Sequence, residues 1–208
     1  MLEDVQADRP VVASTLAFAG KVWDVRSDRV DLGDQRIVQR DYLHHTGAVA
    51  ILALNEDGEI YLVRQYRHPV RRECWEPPAG LTDVRGESPV DAAARELHEE
   101  ADLVAARWDV LVDFYATPGG SSEGIRVFLA RDLSPVPEHE RHVREDEERD
   151  MEGRWVALDQ VLEAIDAGSV GSPTLVAGAL ALERARRSGW STLRPAGSPW
   201  RKPPSLLD

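Results

Sequence analysis

A single cysteine, Cys74, leaves the 208-residue chain with no possible intrachain disulfide. A reducing, cytoplasmic setting is the simplest expectation for such a chain. Long apolar runs are missing as well. The longest, Gly47 to Leu54 (GAVAILAL), falls far short of the roughly 20 residues that a membrane helix needs. The first residues are acidic and mixed, without the basic and then apolar order of a secretory leader. Positive charge is in deficit, and the formal net charge is −12 at pH 7. That balance argues against sequence-independent nucleic-acid binding and against docking on anionic membranes. No glycine-rich phosphate loop of the Walker type occurs either.

What is present suits a soluble globular protein, with 42% apolar and 30% charged residues. The length fits one sizeable domain, or one domain with an appended element. Residues 10 to 45 read as short strands, with a hairpin signal in SDRVDLGDQ. GAVAILAL reads as a strand buried on both faces, and IYLVRQY is expected to pair back on it through the turn at EDGE. WEPPAG is a proline-rich loop. Ser88-Pro89-Val90-Asp91 is a helix start: Ser88 caps, Pro89 takes the first helical position and Asp91 favours the positive end of the dipole. Val90, Ala93, Ala94, Leu97 and Ala101 form the apolar stripe of that helix. WDVLVDFYA and GIRVFLA follow as strands, and residues 131 to 153 are polar and acidic, a long loop by composition. RWVAL is a short strand. Two helices come next, the second from about Pro173 to Ser188, and a proline- and serine-rich irregular tail ends the chain. Strands interleaved with a few helices in mixed order predict an α+β or α/β sandwich.

The helix after Ser88 concentrates like charge. Glu96 and Glu100 are four apart and share a face, with Glu99 on its flank and no lysine nearby. A solvated acidic face would tolerate this, since the repulsion costs only a few tenths of a kcal/mol, and Arg95 can pair with part of it. Three carboxylates on one rigid element also suit Mg²⁺ or Mn²⁺, which take oxygen ligands beside substrate phosphates.

The stretch from Gly80 to Leu103 resembles the signature of the Nudix hydrolases, carried by Gly80, Glu87, Arg95, Glu96, Leu97, Glu99, Glu100 and Leu103. It departs from that pattern in two places. Six residues rather than five separate Gly80 from Glu87, and Asp102 stands where the family has glycine. The resemblance implies a Nudix α/β/α sandwich with a mixed sheet, plus a small N-terminal β domain. It implies metal ligation by Glu96, Glu100, Glu99 and the main-chain carbonyl of Ala79. Arg95 would hold the glutamates, and Glu87 would act from behind them. The cofactor implied is Mg²⁺, with Mn²⁺ as the other candidate.

Further residues resemble the ADP-ribose pyrophosphatase subfamily of actinobacterial type. Pro118 lies fifteen residues beyond Leu103, QYRH places Arg67 as the diphosphate contact, and WEPPAG is close to the family's loop. GGSSEGIRV places Glu123 near the terminal ribose. The first strands resemble an extra domain that is exchanged across a homodimer and helps to bind adenine. The implied organisation is residues 1–45 for dimerisation and adenine, 46–190 for the hydrolase domain, and 191–208 as the irregular tail. In related enzymes the general base lies in the acidic loop of residues 142–153, which favours Glu148, then Glu147, then Glu145. The implied reaction is cleavage of ADP-ribose, a small-molecule nucleoside diphosphate, to AMP and ribose 5-phosphate. Another diphosphate-linked substrate, such as a nucleotide sugar or a dinucleotide polyphosphate, stays open. So does a sensor that binds ADP-ribose without cutting it.

Overall fold

The structure, a computed structural model, describes residues 2–143 and 151–201. Its first three strands, β1 (Val11–Ala19), β2 (Asp24–Asp31) and β3 (Ile37–His44), form an antiparallel meander in that order. The β2–β3 turn passes through Gly33 at φ 87°, a conformation only glycine adopts without steric cost. β1 is exposed along its whole length, and Val11, Val12, Leu16 and Phe18 are each more than half exposed.

β4 (Ala48–Ala53), β5 (Glu59–Arg67), β6 (Arg72–Glu76) and β7 (Ala79–Leu81) precede the first helix, α1 (Pro89–Ala101). Then come β8 (Leu103–Tyr115), β9 (Gly124–Pro135), β10 (Glu152–Ala157), α2 (Leu158–Asp166), α3 (Pro173–Arg187) and β11 (Arg194–Pro195). Five strands in the order β11-β8-β9-β4-β7 make a mixed sheet, in which β4 runs parallel to β9 and antiparallel to β7. β4 reads as an unbroken apolar run because both of its faces are covered. Val49, Ile51 and Ala53 pack with Ala93 and Leu97 of α1. On the other face, Ala50 and Leu52 pack with Val161 of α2 and with Leu175 and Leu182 of α3. The result is the expected α/β/α sandwich with a mixed sheet. No helix among the described residues is long and apolar enough to cross a membrane.

Local expectation and structure part in several places. β5 does not pair with β4 beyond one isolated bridge, Leu54 to Ile60. It joins β10 and β6 in a separate antiparallel sheet, because both edges of β4 are taken by β9 and β7. Strands close in from both sides of the WEPPAG loop until only Pro77 and Pro78 lie between β6 and β7. β9 runs on to Pro135 and shortens the acidic loop, which then makes one 3₁₀ turn at Glu138–Glu140. The tail is also tied down. β11 pairs with β8, and the carbonyls of Ser198 and Pro199 accept from the buried Arg126 guanidinium at 2.7 and 3.0 Å.

A glutamate helix and the cleft it faces

The cap and the end of α1 form as their residues dictate. The Asp91 N–H donates to Ser88 Oγ at 3.2 Å, and Pro89 occupies the first turn. Asp102 takes the left-handed conformation at φ 53° and ψ 38°, which a short polar side chain tolerates better than most. Its N–H still reaches the carbonyls of His98 and Leu97, so the missing glycine leaves the helix end intact. The apolar stripe differs in one position from the sequence reading: Ala92 is buried, whereas Ala94 is exposed.

Glu96 and Glu100 are buried, at 9% and 6% exposure, beside that stripe. A solvated acidic face is therefore excluded for these two. Glu100 Oε2 accepts the N–H of Ala79 at 3.0 Å. Glu96 lies against the bare backbone of Gly80, where an added Cβ would stand 1.9 Å from Oε1 and 2.5 Å from Cγ. The two buried carboxylates thus meet consecutive backbone positions at the start of β7.

Arg95 organises the remaining charge. Its Nε and Nη2 donate to the two oxygens of Glu87 at 3.1 Å each, and Nη1 donates to Glu96 at 2.5 Å and to Glu99 at 3.3 Å. Charge-assisted hydrogen bonds are worth about 1.5–3 kcal/mol each, more than the few tenths of a kcal/mol of like-charge repulsion along the helix. The hydrogen bonds to Glu87, and the charge of Glu96 beside them, raise the Arg95 pKa further above its ordinary value. This guanidinium stays charged at any working pH.

Three carboxylates and a main-chain carbonyl form a set of hard oxygen donors, the chemistry Mg²⁺ and Mn²⁺ prefer. Among the described residues no three His, Cys, Asp or Glu side chains converge as a finished ligand cage. Two of the glutamates are instead turned toward Arg95. The fit is one of donor type and of placement against Ala79 and Gly80.

A cleft of about 1580 Å³ opens beside this helix, lined by Ala79, Glu99 and Glu100 and by Arg67 of β5. Arg67 donates from Nε and Nη2 to the two carboxylate oxygens of Glu76 at 3.1 and 2.7 Å. Those bonds raise its pKa and fix its plane at the cleft wall. Lys21, from the β1–β2 turn, and Arg141 add positive charge to the lining.

Pro118 and Glu123 lie elsewhere, on the β8–β9 loop. That loop is stitched to the end of β3 by Leu43 N–H to the Gly120 carbonyl and Ser122 N–H to the Leu43 carbonyl, both at 2.9 Å. Neither residue belongs to the cleft lining. Glu145, Glu147 and Glu148 lie outside the described residues. The stretches on either side of them, Glu140 to Val143 and Met151, line the cleft.

Sequence reasoning did not single out Glu76, Lys21 or Arg141 for this site. Glu76 was within reach, because it stands in the WEPPAG stretch. Its pairing with Arg67 depends on the β5–β6 register, which no local pattern encodes. Lys21 and Arg141 sit in turns and loops that only the tertiary fold brings to the cleft.

Comparison with known proteins returns a consistent set. The NUDIX domain family model matches residues 44–175. An ADP-ribose pyrophosphatase of Mycobacterium tuberculosis is 39% identical over 193 residues, covering 93% of this chain and 91% of that protein. An ADP-ribose pyrophosphatase of Bacillus subtilis is 36% identical, over 78% of this chain and 86% of the relative. A methanol dehydrogenase activator of Bacillus methanolicus is 34% identical, over 71% and 78%. A crystal structure of an ADP compounds hydrolase superposes with a TM-score of 0.73 and covers 90% of this chain and 100% of its own; at 18% identity it shows the fold alone.

Proposed function

The chain belongs to the Nudix family, and from that premise we propose that it hydrolyses the diphosphate of ADP-ribose to AMP and ribose 5-phosphate. One observation carries the reading. Arg67 lines the same cleft as Glu99, Glu100 and Ala79, so a guanidinium suited to a diphosphate shares one space with the acidic helix. The two ADP-ribose pyrophosphatases that match most of this chain support the choice of substrate.

Glu96, Glu99, Glu100 and the Ala79 carbonyl would hold a divalent cation, Mg²⁺ in our proposal, which when bound shields phosphate charge and makes water more acidic. Arg67 donates to the diphosphate oxygens, a task for a planar guanidinium, while Glu76 keeps that plane in place. Arg95, anchored on Glu87, holds Glu96 and Glu99 in register. Water attacks one phosphorus, the bond from that phosphorus to the bridging oxygen breaks, and a carboxylate takes the proton of the water. We assign that proton acceptor to Glu148, with Glu147 and then Glu145 as alternates. From the β8–β9 loop, outside the lining of this cleft, Glu123 would take a terminal ribose that extends beyond it, and Pro118 shapes that loop.

The exposed apolar strand β1 supports a homodimer built on residues 1–45, with the partner's sheet helping to hold adenine. Residues 46–190 form the hydrolase unit in this reading, and the protein works in the cytoplasm. A small-molecule substrate, without nucleic acid or membrane, suits its net charge of −12.

A panel of ADP-ribose, nucleotide sugars and dinucleotide polyphosphates, assayed with Mg²⁺ for AMP release, tests the proposal. ADP-ribose should give the highest kcat/KM, and binding without product would instead indicate a sensor. Replacing Glu145, Glu147 and Glu148 one at a time with Gln should single out one whose kcat falls far more than tenfold, which is about 1.4 kcal/mol. If no single loss passes tenfold, the base lies outside this loop. Gly80→Ala should lower kcat about a hundredfold, because the added methyl displaces Glu96 and misplacements near 1 Å have that effect. Helix content by circular dichroism should not change.

A further inference from the structure

His45 has no part in the chemistry above, yet its side chain is nearly buried, at 11% exposure, between the start of β4 and the β8–β9 loop. The Gly47 N–H donates to its Nδ1 at 3.0 Å. A ring nitrogen that accepts cannot also carry the proton, so the neutral imidazole bears its hydrogen on Nε2. Nε2 faces Glu123, 3.8 Å from Oε1. The backbone around this contact is held on both sides. The His45 N–H donates to Ser122 Oγ at 2.9 Å, and the Glu123 N–H donates to Ser121 Oγ at 3.1 Å.

We propose that His45 is a positioning residue for substrate selection: its Nε2–H, fixed by the Gly47 bond to Nδ1, orients the Glu123 carboxylate toward the sugar end of the substrate. The inference rests on the reading of Glu123 as the ribose contact. At 3.8 Å the pair is an electrostatic contact, which a sub-ångström shift of either side chain closes to a hydrogen bond. One carboxylate oxygen then faces the imidazole, and the other is left to accept a sugar hydroxyl. A glutamate without this partner spreads over several rotamers and must lose that freedom when substrate binds. The ligand class selected is a diphosphate ending in a hydroxyl-rich sugar.

Two near-isosteric substitutions separate the ring nitrogens. Asparagine can still accept from Gly47 in place of Nδ1 but puts nothing at Nε2. Glutamine puts an N–H donor near Nε2 and loses the acceptor. His45→Asn should raise KM for ADP-ribose about tenfold with kcat nearly unchanged, as Glu123→Gln should, because both weaken binding that is equal in ground and transition states. His45→Gln should restore KM to within about threefold of the parent. The double variant His45→Asn/Glu123→Gln should be no worse than either single one, the mark of two groups acting as a unit. A residue that merely holds the turn would give the reverse order, with glutamine worse than asparagine, and that result overturns the proposal. Normal KM in His45→Asn beside a raised KM in Glu123→Gln overturns it alone, whereas normal KM in both variants removes the ribose reading as well. ¹⁵N NMR of the unaltered protein gives a check without any variant: His45 should show an unprotonated Nδ1, and a protonated Nδ1 refutes the proposal.

Discussion

Glu96→Gln or Glu100→Gln lowers divalent-dependent turnover by about a thousandfold or more and leaves the fold standing. Both side chains are buried, and the amide keeps their volume. In Glu100→Gln the new amide would still offer an oxygen to the Ala79 N–H, whose hydrogen bond Glu100 now accepts. What disappears is a unit of negative charge in a set of three. The cation it would hold supplies several kcal/mol of charge stabilisation, and about 4 kcal/mol is a factor near a thousand in rate. The amide keeps an oxygen for the Arg95 and Ala79 donors, so the melting temperature should change by no more than a few degrees. Initial rates of AMP release against Mg²⁺ concentration, with circular dichroism on the same samples, check both halves. Normal activity in either variant would remove that residue from the ligand set.

Arg126→Ala has the largest expected effect on stability. This arginine is 1% exposed, and its Nε and Nη2 donate to the two oxygens of Asp113 at 2.8 and 2.9 Å. Nη1 and Nη2 also reach the carbonyls of Ser198 and Pro199, and the guanidinium lies 5.2 Å from the centre of the Trp200 ring. Alanine would leave Asp113 with Arg194 as its remaining cation, strand two carbonyls and open a void under Trp200. Breaking a buried ion pair from one side costs about 3–5 kcal/mol. At roughly 2–4 °C per kcal/mol for a chain of this size, the melting temperature should fall by about 10 °C. Arg126→Lys should recover only part of that loss, since an ammonium cannot match the two-pronged carboxylate contact. A scanning calorimetry shift below about 2 °C would mean that the tail and the sheet are not coupled through this side chain.

Much of helix α1 was legible in the sequence because its signals are local. Ser88, Pro89 and Asp91 mark its start by their own chemistry, and the spacing of Glu96 and Glu100 places them on one face. Which way that face points was not legible. Glu96 and Glu100 are buried because Ala79 and Gly80 of β7 come against them, a contact between residues far apart in the chain. The same limit explains β4 and β5. The turn between them is a good hairpin signal, but β9 and β7 claim both edges of β4 and only one bridge to β5 remains. Proline and serine made the tail look irregular, since composition reports what backbone alone prefers. The partner that holds it, Arg126, is an arginine set in the apolar stretch GIRVFLA. Charge in such a strand marks a partner somewhere without saying where.

The tie between Arg126 and the tail also bears on how the protein is made. Ser198 and Pro199 follow Arg126 by 72 and 73 positions, so during synthesis the cation emerges long before two of its acceptors. β8 supplies Asp113 early, and the sheet can assemble around that pair, but the site stays under-satisfied until the tail emerges. Final consolidation of this part of the core therefore waits on residues made some seventy positions after Arg126.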